Sequence, residues 1–201
     1  TNRDAKNFRV VTVPVADPSE AHWTPFIDHD PAVKIDGLTF FARHLVVSEK
    51  EGGLEHLRVV DLASGASHRL ATDEADRTLA FGANPEFETE TLRFTYESMV
   101  TPPSVYDYDM TTRARTLLKQ QPVLGGYEPS RYEGARVWAT VRDGTRVPVS
   151  LVYRKGVARD GTAPMLLYGY GSYGISLSPT FSSNRLSLLD RGAIYATAYV
   201  R

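Results

Sequence analysis

The chain of 201 residues contains no cysteine. That absence excludes disulfides, thiolate zinc sites and a cysteine nucleophile, and it sets the expectation of a cytoplasmic, reducing setting. An excess of either charge is missing too. Lys and Arg number 23 against 24 Asp and Glu, a formal net charge of -1, so no basic field speaks for nucleic acid or for an anionic membrane surface. No apolar run reaches the ~20 residues that cross a bilayer. The opening TNRDAKNF has neither an initiator Met nor the charged-then-apolar layout of a secretory leader, and the chain reads as a piece of a longer polypeptide. Two further gaps concern catalysis. No serine stands in a G-x-S-x-G elbow, and all five histidines, His22, His29, His44, His56 and His68, fall in the first half. A serine nucleophile with a following histidine base is therefore not contained in this sequence.

What is present begins with a weak repeat. FRVVTV, LRVVDL and VYDYDM start at Phe8, Leu57 and Val105, 49 and then 48 residues apart. HLVV and LRFT, from His44 and Leu92, repeat the 48-residue offset, and SHRLA and ARTLLK follow the polar turns Ala63-Ser64-Gly65 and Thr111-Thr112-Arg113. Each period offers at least three strands joined by turns, a spacing in the range of β-propeller blades. A meandering β-sandwich is the alternative.

After residue 122 the pattern changes. RVWATVR and RVPVSLVYR flank Asp143-Gly144, a hairpin signal. MLLYG, from Met165, is continuously apolar and predicts a strand buried on both faces of a sheet. FSSNRLSLLDRG predicts a helix capped by Ser182 or Ser183, with Leu186 and Leu189 on one face and Gly192 as its stop. AIYATAYV then supplies a second buried strand. Strand, loop, helix and strand make a parallel crossover unit.

Between the two apolar strands lies LLYGYGSYGIS, whose Gly169, Gly171 and Gly174 fit G-x-G-x-x-G. In a dinucleotide turn the helix begins inside the fingerprint, so that its amides meet the pyrophosphate. Here ISLSPTF follows, with Pro179 biasing Ser178 away from helical angles, and the predicted helix starts too late. Only Arg201, placed where a basic residue can meet a 2′-phosphate, favours NADP. In a hydrolase, by contrast, a glycine-rich loop after a strand presents donors to an oxyanion, and a tyrosine hydroxyl, neutral at pH 7, is a competent donor. Packing alone is the alternative role for these tyrosines.

The combination of LVYRKG, LLYGYGSYGIS and RLSLLDRG, with GANPEFETETLRF and SVYDYDM upstream, resembles the prolyl oligopeptidase family of serine peptidases over essentially the whole chain. The resemblance implies a seven-bladed β-propeller capping an α/β-hydrolase domain. Residues 1–122 would be about the last three blades, and 123–201 the first strands of the catalytic domain. By the same resemblance Tyr170, the second tyrosine of Y-G-Y-G, is the oxyanion-hole hydroxyl, and Tyr173 lines the pocket for the residue on the acyl side of the cut. The family's R-G-G-x-E motif, whose acidic residues select Arg and Lys in one branch, would begin at Arg201, with the triad beyond. The implied substrates are short peptides with basic residues, the implied partner is the remainder of the same polypeptide, and no metal or organic cofactor is implied. A non-catalytic propeller module that binds a protein is the competing function.

Other constellations carry less. Asp107 and Asp109 share a strand face as a catalytic carboxylate pair would, but alternating Asp beside a turn is usually solvated; Asp28, His29 and Asp30 are metal-ligand types without a ligand pair at helical spacing and read as a turn before Pro31; Glu86, Glu88 and Glu90 read as a solvated edge.

Overall fold

The computed structural model describes residues 1–175 and 177–200. Strands β1 (Val10–Thr12) and β2 (Thr24–Ile27) form an antiparallel ribbon of two. FRVVTV, expected to repeat the later strands, is thus paired with β2 alone among the described residues.

The two later copies of the repeat each fold into a four-stranded antiparallel meander. The first comprises β3 (Val33–Phe40), β4 (His44–Glu51), β5 (Leu54–Asp61) and β6 (Ser67–Arg69). The second comprises β7 (Arg77–Phe81), β8 (Thr91–Ser98), β9 (Ser104–Asp109) and β10 (Arg115–Gln120). The equivalence reaches the turns. Asp61 Oδ1 accepts the amides of Ala63 and Ser64, and Gly65 follows at φ +73°; Asp109 Oδ1 accepts those of Thr111 and Thr112, and Arg113 follows at φ +65°. Both are Asx turns closed by a left-handed residue, costly for Arg113 where glycine would be free of strain.

Strict alternation along β8 sends Leu92, Phe94 and Tyr96 inward. With Leu79, Tyr108 and Met110 they pack against Phe41, Val46, Leu57, Val59 and Leu70, so the two meanders share one core. Burial of a side chain the size of Leu92 or Phe94 contributes roughly 1.5–3 kcal/mol.

The third sheet is mixed. It contains β11 (Tyr132–Thr140), β12 (Arg146–Arg154), β13 (Met165–Gly169) and β14 (Ile194–Ala198) in the order β11-β12-β14-β13. The expected hairpin is β11 with β12, closed by Val141 and Thr145 with Gly144 at φ +82°. Strands β13 and β14 are parallel, and helix α1 (Ser183–Leu189) lies in the crossover between them. Ser182 stands at its N-cap in an extended conformation without a side-chain capping bond. At the other end the Gly192 amide reaches Leu189 O and the Ala193 amide Leu188 O, a glycine-dependent stop at φ +84°. Leu189 is buried with Met99, Val100, Tyr132 and Val152, which fastens the helix and the mixed sheet to the β8–β9 connection of the second meander.

Strand β13 corrects one expectation. MLLYG is exposed along its whole length, not buried on both faces. It pairs with β14 only and forms the sheet's edge, so its apolar run states the environment the strand requires and not one that the described elements supply. Among the described residues no helix is long and apolar enough to cross a membrane.

Candidate functional site

The glycine-tyrosine loop leaves the C-terminal end of β13. Parallel pairing brings Gly169 opposite Ala198 at the strand exit, where a Cβ would make only ordinary contact, 3.5 Å from Ala198 O. Tyr170 follows, 36% exposed. Ser172–Gly174 make a single 3-10 turn closed by the Ile175 amide on Ser172 O. Within it Tyr173 adopts φ +57°, ψ 26°. A bulky residue in the left-handed region is strained, and such strain gathers at functional sites. Tyr173 is also 94% exposed, its ring presented to solvent. Among the described residues neither tyrosine hydroxyl has a hydrogen-bond partner, so both remain available as donors. One loop therefore carries both candidate residues, with a free hydroxyl at Tyr170 and an open aromatic face at Tyr173.

The dinucleotide arrangement does not form. Helix α1 begins at Ser183, well beyond Gly174, and its amides are not presented at the glycines. Arg201, the residue invoked for a 2′-phosphate and for the start of R-G-G-x-E, lies outside the described residues.

The arm that follows the loop is docked on both meanders. Ser178 Oγ donates to Glu55 Oε1 on β5 at 2.7 Å, Thr78 Oγ1 on β7 donates to Pro179 O at 3.2 Å, and the Phe181 amide donates to Glu97 Oε2 on β8 at 2.8 Å. Pro179 is fully buried. Nearby a polar network joins the meanders to the mixed sheet: Arg136 and Ser150 both donate to Asp76 Oδ1, and Ser150 shares a hydrogen bond with the hydroxyl of Tyr199. Burial pushes the Tyr199 phenol up to about 12, so it stays neutral and hydrogen-bonding at pH 7. Sequence reasoning missed these residues, and no local signal marks them, because each contact joins positions far apart in the chain.

The remaining candidates take structural roles. Asp107 is held by Arg93 through two hydrogen bonds, which keep its carboxyl below the usual range, and Asp109 is the Asx-turn residue described above. Asp30 Oδ1 accepts the Ala32 amide, a turn as expected. Glu90 departs from the expected solvated edge, since its carboxylate meets Arg43, His44 and the hydroxyl of Thr111.

Residues 1–121 match the family model described as prolyl oligopeptidase, N-terminal beta-propeller domain. The whole chain is 48% identical over 203 residues to dipeptidyl aminopeptidase BI of Pseudoxanthomonas mexicana and 32% identical over 201 residues to protease 2 of Moraxella lacunata, covering 28% and 29% of those proteins. Among solved structures it is similar to oligopeptidase B from Trypanosoma brucei with covalently bound antipain, in the closed form, with a TM-score of 0.86 and 36% identity; the match covers 100% of this chain and 29% of that one. The chain thus spans less than a third of the length of each of these relatives.

Proposed function

Because the chain belongs to the prolyl oligopeptidase family, we propose that it is part of a serine oligopeptidase of the oligopeptidase B type, cleaving short peptides after Arg or Lys by acyl transfer. In this reading residues 1–122 are about the last three blades of a seven-bladed propeller, and residues 123–201 begin an α/β-hydrolase domain. Tyr170 donates its hydroxyl proton in a hydrogen bond to the carbonyl oxygen as that oxygen becomes an oxyanion, beside the backbone N–H that follows the nucleophilic serine. Tyr173 offers its ring to the residue on the acyl side of the cut. The serine, aspartate and histidine, and the carboxylates that select basic residues, belong to the remainder of the same polypeptide. The 201 residues by themselves are inactive.

The observation that carries the reading is Tyr170, on the loop at the end of a parallel strand, with a hydroxyl that no described residue engages. Its test is Tyr170→Phe in the full-length protein on a fluorogenic Arg-amide. The expected outcome is a kcat lower by about 10²-fold with KM little changed. Tyr173→Ala, measured in the same set, raises KM by about 10-fold through lost apolar contact. Full activity of Tyr170→Phe reduces that residue to packing, and absence of hydrolysis of both the Arg-amide and a dipeptidyl amide with a free amine revives the binding module.

A second reading is favoured by the 48% identity to a dipeptidyl aminopeptidase. In that reading the enzyme removes dipeptides from free amino termini. Blocking the substrate's α-amine separates the two, since only a dipeptidyl aminopeptidase loses its substrate.

A further inference from the structure

Among the described residues the tyrosine loop has little of its own to hold it beyond the Ile175 amide bond, and it runs between β13 at one end and the arm from residue 177 at the other. The arm meets side chains from two separate sheets in polar contacts, with Glu55 on the first meander and with Thr78 and Glu97 on the second. Two of these acceptors are carboxylates, and a carboxylate receiving an N–H or O–H makes a stronger bond than a neutral acceptor does. Glu97 grips the backbone itself, through the Phe181 amide, and the Phe181 ring also packs edge-on against Tyr127 at 5.2 Å. Glu55 is steadied in turn by Lys50 at 3.3 Å.

From this geometry we infer that Glu97, assisted by Glu55 and Thr78, is a positioning residue for the reaction: it fixes the arm and thereby the placement of Tyr170. None of the three reaches Tyr170 directly, so each acts through the arm backbone. The inference rests on Tyr170 being the oxyanion donor. A donor must meet the developing charge within a few tenths of an ångström, and a support that loosens it by about 1 Å can cost up to ~10²-fold. The meanders are thus part of the machinery that orients the hydroxyl, in addition to covering the site.

The experiment is a cycle in the full-length protein, with kcat and KM read on a fluorogenic Arg-amide. Glu97→Ala is expected to lower kcat by about 10-fold with a smaller change in KM. In a Tyr170→Phe background the same substitution is expected to lower kcat by less than ~2-fold, because the group it positions is gone. Glu97→Gln, which keeps an acceptor for the Phe181 amide, restores most of the parental kcat. Should Glu97→Ala fail to fold, Ser178→Ala and Thr78→Val each remove one hydroxyl with little change of volume, and each is expected to lower kcat by about 3-fold in the parent alone. Full activity of these variants beside a slow Tyr170→Phe overturns the positioning role only. Equal losses in both backgrounds overturn it as well. A fully active Tyr170→Phe overturns the oxyanion reading, and the positioning role with it.

Discussion

Arg77 Nη2 donates to Nδ1 of His56 at 3.1 Å across the interface between the two meanders. Burial first, and the neighbouring guanidiniums of Arg77 and Arg69 next, lower the His56 pKa to about 4. The imidazole is therefore neutral at pH 7 and able to accept.

A pH dependence follows from that neutrality. The unfolded chain binds the His56 proton near 6.5 and the folded chain only near 4. Between those values the unfolded state holds more protons, so the stability contributed by the neutral ring is fully present above about pH 6.5 and is lost as pH falls toward 4. Thermal unfolding followed between pH 7 and 4.5 should show a steeper loss for the parent than for His56→Asn, whose amide oxygen can accept from Arg77 without titrating. Parallel profiles would exclude His56 as the source.

Arg136 and Asp76 form an ion pair at 2.9 Å with side chains only 10% and 6% exposed. Removing one member leaves the other buried and uncompensated, which costs about 3–5 kcal/mol. Arg136→Ala and Asp76→Ala should each lower stability to denaturant in the full-length protein by that order. The double variant should lose clearly less than the two single losses added. Strict additivity would mean that the pair contributes no coupling across the junction.

Strand β13 presents Met165, Leu166, Leu167 and Tyr168 at 58%, 44%, 59% and 46% exposure on an unpaired edge. An exposed apolar edge recruits further strands. The 201-residue chain expressed alone is expected to associate in sizing chromatography, and Leu167→Lys to shift it toward monomer. A parent that elutes as a compact monomer at all concentrations would contradict the prediction.

Legibility in the sequence followed the range of the interactions. LRVVDL and VYDYDM announced β5 and β9 because alternation and Asx turns are local. Strand β3 was harder to see, since VKIDGLTF carries Asp36-Gly37 at its middle, a pair that reads as a turn and that the structure absorbs as a register shift between Ile35 and Gly37. Strand β7 is only RTLAF, short and straight after the polar stretch TDEAD, so it too lacked a marked start. At the candidate site, the loop that carries Tyr170 and Tyr173 was legible as a glycine-rich turn after an apolar strand. Glu97, Glu55 and Asp76 were not, because a glutamate that will grip an amide 84 residues later looks like any other polar position on a strand.

That same separation orders events in time. Hairpins such as β8 with β9 close over short loops and form early, whereas Ser178 meets Glu55 across 123 residues and Pro179 meets Thr78 across 101. The arm has nothing to dock on until both meanders are built. If the arm positions the tyrosine loop as proposed, the loop acquires its shape last, and a chain emerging during synthesis holds folded sheets before it holds the candidate site. In pulse-labelled refolding the Phe181 amide should gain protection after those of β8 and β9, and simultaneous protection would place the arm in the earliest structure to form.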